Sequence, residues 1–159
     1  MPIAAITYTP RQITAFINRA ESQWIAVYDS SLNGPSIFID GDEYKRLPLR
    51  FSTRGKILAY FKRNWNARLS AIMLCNLKPI LYKTRLYEIV ADPGPVPTFV
   101  VSLRIVNQTE SSIRVRASLS GSDEGNETIL YTLSKAGGRL RIVNRSGRER
   151  DYRYARCTN

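Results

Sequence analysis

From residue 98 to residue 143 apolar and polar positions alternate in four short segments, a period of two that predicts half-buried strands. Phe99, Val101, Leu103 and Ile105 make one apolar face. Ile113, Val115, Ala117 and Leu119 make the next, followed by Ile129, Tyr131 and Leu133, then Leu140 and Ile142. Polar or glycine-containing turns at 109–111, 121–126 and 136–138 separate them. Regular spacing with short turns predicts an antiparallel meander.

Upstream the period is helical. Ile13, Phe16, Ile17, Ala20, Trp24, Val27 and Tyr28 fall on one stripe, which predicts a helix over residues 10–28. Thr9 suits its N-cap, Pro10 its first position, and Gln12 completes a capping box. Arg11, Asn18, Arg19, Glu21 and Ser22 fall mainly off the stripe. Residues 37–39 and 43–47 flank Asp40-Gly41, a strong hairpin signal. A second helix, capped by Ser52 or Thr53, presents Ile57, Leu58, Phe61 and Trp65. A break at 64–66 precedes a shorter helix over 67–74, although 71–74 also reads as a strand. From Thr84 the period returns to two, and a proline-rich loop follows at 92–97.

Helices first and a one-faced meander afterwards predict an α+β fold, with N-terminal helices packed on one face of an antiparallel β-meander. Cystatin-like and NTF2-like folds have this character. The 159 residues fit one domain spanning 1–159.

Charge adds a second theme. The chain has 24 Lys+Arg against 13 Asp+Glu, a formal net charge of +11 and no histidine. Such a charge draws a protein toward nucleic acid, anionic lipid or anionic wall polymers. Arg104, Arg114, Arg116, Arg139 and Arg141 occupy solvent-side positions of the meander, so the sheet's outer face is predicted to be basic. The run 145–156 adds Tyr152, Arg153 and Tyr154 as candidate binding residues, since arginine suits planar recognition of carboxylate and phosphate. The bland alternative is a solvated face whose charges block edge pairing.

Without histidine, Ser-His-Asp and Cys-His sites are excluded, and so are histidine metal ligands. Asp40-Gly41-Asp42 lacks the remaining spacing of a calcium loop and reads as a turn. Ala136-Gly137-Gly138-Arg139 lacks the ending of a phosphate loop. No catalytic residue, metal or cofactor is expected. Cys75 and Cys157 permit one disulfide at most; Cys75 lies in an apolar run where a free cysteine behaves as a small hydrophobe, and the unpaired state is the favoured reading. No run has the length of a membrane-spanning helix. The opening Met1-Pro2-Ile3-Ala4-Ala5-Ile6 has no signal-peptide core, which leaves a cytoplasmic chain or a mature form with its signal removed.

The order of elements resembles the secreted bacterial inhibitors of peptidoglycan D,L-endopeptidases, which act on autolysins of the NlpC/P60 type. The resemblance runs over most of the chain. It rests on the opening helix with its late tryptophan (Phe16, Trp24), on Gly41-Asp42-Glu43-Tyr44-Lys45-Arg46-Leu47, and on the capped aromatic helix from Ser52 to Trp65. Leu86-Tyr87 with Ala91-Asp92-Pro93-Gly94, and the late strands from Tyr131 to Ile142, complete it. The resemblance implies a non-catalytic, extracellular or wall-associated inhibitor that occludes its enzyme's cleft, and the chain is expected to be a monomer. It supplies no catalytic residues. A nucleic-acid or other polyanion-binding domain using the arginine face is the alternative, and an NTF2-like small-molecule enzyme or binder is a further one.

Overall fold

The first helix, α1 (Pro10–Asp29), starts where the capping signals place it. The Thr9 side chain accepts from the Gln12 amide, and the Gln12 side chain accepts from the Thr9 amide. Its apolar stripe is buried from Ile13 to Tyr28. A computed structural model describes residues 6–158 of the chain. The segment 1–5, most of the stretch read above for signal-peptide character, lies outside the described residues.

A hairpin follows, β1 (Ser36–Ile39) and β2 (Asp42–Arg46). Asp40 and Gly41 turn it with φ of 52° and 88°, the positive pair that a type I′ turn requires. After a single 3₁₀ turn come α2 (Arg54–Phe61) and α3 (Ala67–Leu77). Thr53 caps α2 and Asn66 caps α3, each accepting from an amide three residues on. The segment 71–74, open above to a strand reading, is helical. The short strands β3 (Ile80–Tyr82) and β4 (Arg85–Ile89) complete a four-stranded antiparallel sheet in the order β1-β2-β4-β3.

The meander forms a second antiparallel sheet, β5 (Phe99–Gln108), β6 (Ser112–Ser122), β7 (Gly125–Ser134) and β8 (Arg141–Arg145), paired in sequence order. Its apolar side packs on the helices: Ile113, Val115, Ala117, Leu119, Ile129, Tyr131, Leu133 and Ile142 share one buried cluster with the stripe of α1 and with Ile57, Phe61, Trp65 and Leu69. The predicted α+β layout is therefore the observed one.

One face was misread. A strict period of two puts Phe99 and Val101 inside, but a bulge between Val100 and Ser102 shifts the pleat. Val100 is buried instead, and Phe99 and Val101 are exposed. A second bulge beyond Ile105 exposes Val106. Both lie on the edge strand β5, where bulges discourage pairing with another chain. At the opposite edge, residues 64–66 run along β8 through bonds from the Asn66 amide to the Ile142 carbonyl and from the Ile142 amide to the Asn64 carbonyl.

Cys75 on α3 and Cys157 form a disulfide with a Cα–Cα distance of 6.0 Å. This corrects the free-cysteine reading: neither the spacing nor the apolar setting of Cys75 shows that the chain end returns to α3. Asn76 supports the same docking by donating to the carbonyls of Arg153 and Ala155.

Candidate anion-binding face

Alternation along β6 sends Ile113, Val115 and Ala117 inward and Arg114 and Arg116 outward. On β5 the register places Arg104 directly opposite Arg116, and Asn107 opposite Arg114. Leu130 of β7 lies opposite Arg116 on its other side. The two guanidinium groups therefore stem from adjacent backbones whose Cβ atoms are about 5 Å apart. Ser102, Ser118 and Thr128 line up in the next row and, with Arg104 and Arg116, wall a hollow of about 300 Å³. The structure thus brings together three of the five predicted meander arginines and adds hydroxyls. Those hydroxyls share the arginines' outward parity, the signal that could have found them.

Arg139 and Arg141 stand elsewhere. Arg139 donates to the Arg63 carbonyl (2.7 Å) and Arg141 to the Lys62 carbonyl (3.1 Å), which follow the last turn of α2. Cationic donors complement the carbonyls left open at a helix C-terminus. Their first role is to fasten α2 to the sheet edge.

Arg153 and Tyr154 are corrected outright, because both are fully buried. They belong to an ion cluster centred on Glu21 of α1, itself fully buried although it was read as lying off the stripe. The Glu21 carboxylate accepts from Arg145 (2.7 Å), Arg153 (3.0 Å), Tyr131 (2.6 Å) and Tyr154 (2.8 Å). Asp151 accepts from both arginines at 3.2 and 2.9 Å. Two carboxylates thus balance two guanidinium groups away from water. The guanidinium carbons of Arg145 and Arg153 lie 4.2 and 4.7 Å from the centroid of the Tyr154 ring, which also stacks on Trp65. Burial alone would raise the Asp151 pKa; the hydrogen bond and charge of Arg153, with the charge of Arg145, outweigh it and hold the group below its ordinary value. Tyr131 and Tyr154 are pushed up, chiefly by burial. Position 21 follows Ile17 by four residues and precedes Tyr28 by seven, so it lies on the helical stripe after all. The basic tail 145–156 is therefore partly a core element. Tyr152 keeps an exposed edge; its ring packs edge-on against Trp24 and its hydroxyl donates to the Pro93 carbonyl.

No family model matches the chain, and no curated protein matches it.

Among the described residues every ion pair lies in this buried cluster. Arg104, Arg114 and Arg116 form no ion pair among the described residues. No helix among the described residues is long and apolar enough to cross a membrane. One carboxyl outside the cluster is also buried: Glu88 on β4 has no hydrogen-bond partner for either oxygen, and burial pushes its pKa up to about 8. Lys45 is its register partner on β2, yet no ion pair joins them. The clefts over α1 and α2 are walled by arginine and lysine and not by Glu88.

Proposed function

We propose that the protein is a non-catalytic binding protein that docks the outer face of its larger sheet on an acidic partner protein. The observation that carries this reading is Arg104 opposite Arg116, both exposed and without an ion pair among the described residues, with Arg114 on the same face. Like charges directly across a sheet cost stability, so their placement is better explained by a partner than by the fold. Leu130, Val106 and Phe99 are exposed on or beside that face. Arginine mixed with aliphatic and aromatic side chains is the composition of protein–protein contact surfaces. Arginine stays protonated near neutral pH and is a poor acid–base group, so arginine-walled clefts support binding over catalysis.

The partner class rests on the resemblance stated above: a peptidoglycan D,L-endopeptidase of the NlpC/P60 type, occluded at its cleft. The Cys75–Cys157 bridge supports an oxidising, extracellular or wall-associated setting, where such bonds persist. The basic surface would speed encounter with an acidic enzyme more than it would tighten the final complex. Mixing the pure protein with such an endopeptidase is expected to slow peptidoglycan digestion near a stoichiometric ratio. Undiminished digestion by several such enzymes would overturn this partner class.

The hydroxyl-rimmed hollow formed by Ser102, Ser118 and Thr128 with two arginines favours one second reading, a phosphate-bearing polyanion such as nucleic acid or a wall polymer. That reading requires binding of a fluorescent oligonucleotide at low salt that weakens steeply as salt rises.

A further inference from the structure

A second cationic site shares no residue with the arginine face. Where α1, the segment after α2 and the turn before β8 meet, the surface opens into a cleft of about 500 Å³. Arg19, Arg63 and Arg139 reach it from three elements far apart in sequence, with Tyr8, Phe16 and Asn64 in the same wall. Among the described residues no carboxylate lines it, and none of the three arginines is in an ion pair.

Two of these guanidinium groups are held in place. Arg139 is fixed by its 2.7 Å bond to the Arg63 carbonyl, which occupies one terminal nitrogen and leaves the other donors free to face a ligand. Arg63 rests 5.4 Å from the ring centroid of Tyr60, a residue of the neighbouring cleft, so it stands on the border between the two. Positioned guanidinium groups lose less freedom when a ligand binds. Arg63 also borders a second cleft of about 340 Å³, walled by Arg50, Lys56 and Tyr60 among others, which extends the positive field without adding a negative group.

We propose that this cleft binds an organic diphosphate, with the diphosphate on Arg19, Arg63 and Arg139 and an apolar or aromatic body against Tyr8. Charge selects the class. A phosphate monoester carries about −1.5 to −2 near neutral pH, which leaves three guanidinium groups under-neutralised; two linked phosphates match them. Planar forks suit phosphate oxygens bidentately. The cleft lies within the size range of small-ligand sites. The site is independent of the arginine face, so either proposal can fail alone.

The test titrates the full chain at low salt with inorganic pyrophosphate, and in parallel with inorganic phosphate, reading heat and backbone amide shifts. Pyrophosphate is expected to bind at least about ten-fold tighter than phosphate, with shifts centred on residues 12–19, 62–64 and 138–140. Arg19→Gln and Arg139→Gln should each weaken it by about ten-fold or more, and Arg68→Gln, an exposed cation on α3, should leave it unchanged. Arg19→Gln alters only an exposed side chain, so it serves if loss of the Arg139 bond loosens α2. Absence of binding, equal affinity for phosphate, shifts confined to β5 and β6, or unchanged affinity in Arg19→Gln would each overturn the proposal.

Discussion

Arg104 and Arg116 face each other across adjacent strands on the exposed side of the meander, with no carboxylate among the described residues paired to either. Reversing one of them should therefore stabilise the fold. Arg116→Glu converts a repulsive cross-strand pair into an attractive one, an expected gain of about 0.2–1 kcal/mol. Chemical denaturation of the variant and the wild type reads this directly. A clear loss of stability would mean that Arg116 contributes to the fold in its own right.

Glu21 is the opposite case, a charge the fold needs. Glu21→Gln would leave Arg145 and Arg153 with only Asp151 as a buried counter-charge. Breaking a buried ion pair from one side costs about 3–5 kcal/mol, a large share of a domain's total stability. The expected outcome is a much lower denaturation midpoint, or a chain that fails to fold. A change under about 1 kcal/mol would show that water enters the cluster and relieves the charge.

Glu88 should make stability depend on pH. Its ordinary value is 4.5 and the folded protein holds it at about 8, so between these values the folded state binds more protons than the unfolded one. Stability from this group is full below about pH 4.5 and is lost as pH rises toward about 8. Tyr28, whose own pKa is raised by burial and by Glu88, is the neighbouring titratable group. Glu88→Gln keeps the shape and removes the charge. Its stability advantage over wild type should grow from pH 5 to pH 8, measured by denaturant midpoints across that range; a constant difference would place Glu88 in contact with water.

The disulfide closes a loop of 82 residues of sequence separation. Reduction, or Cys75→Ser with Cys157→Ser, should cost roughly 2–4 kcal/mol. Hydrogen exchange should rise first in residues 152–158, whose docking on α3 the bridge secures. Unchanged exchange there would mean that the ion cluster and Asn76 hold the chain end unaided.

Much of this fold was legible locally. The stripe and capping box of α1, the Asp40-Gly41 turn and the alternation of β6 and β7 are signals carried by neighbouring residues. The outward parity of Arg104, Arg114 and Arg116 followed from the same alternation. What was not legible depended on distant partners. Arg153 looks like a surface cation until Glu21, 132 positions away, is placed beside it. The bulge after Val100 breaks a period that the sequence continues without interruption, which is why Phe99 and Val101 were assigned to the wrong side. Arg139 and Arg141 alternate like strand residues, yet the end of α2 takes their donors. The cleft formed by Arg19, Arg63 and Arg139 has no local signal, because a helix, the segment after α2 and the turn before β8 build it from unrelated stretches of sequence.

Peptidoglycan digestion by an NlpC/P60-type endopeptidase, followed with wild-type protein and with Arg104→Glu/Arg116→Glu at equal fold stability, tests the docking face most directly. Wild-type protein is expected to slow digestion near a one-to-one ratio and the double reversal to leave it at the uninhibited rate. Equal inhibition by both proteins would contradict the role of this face, and an uninhibited reaction with the wild type would contradict the partner.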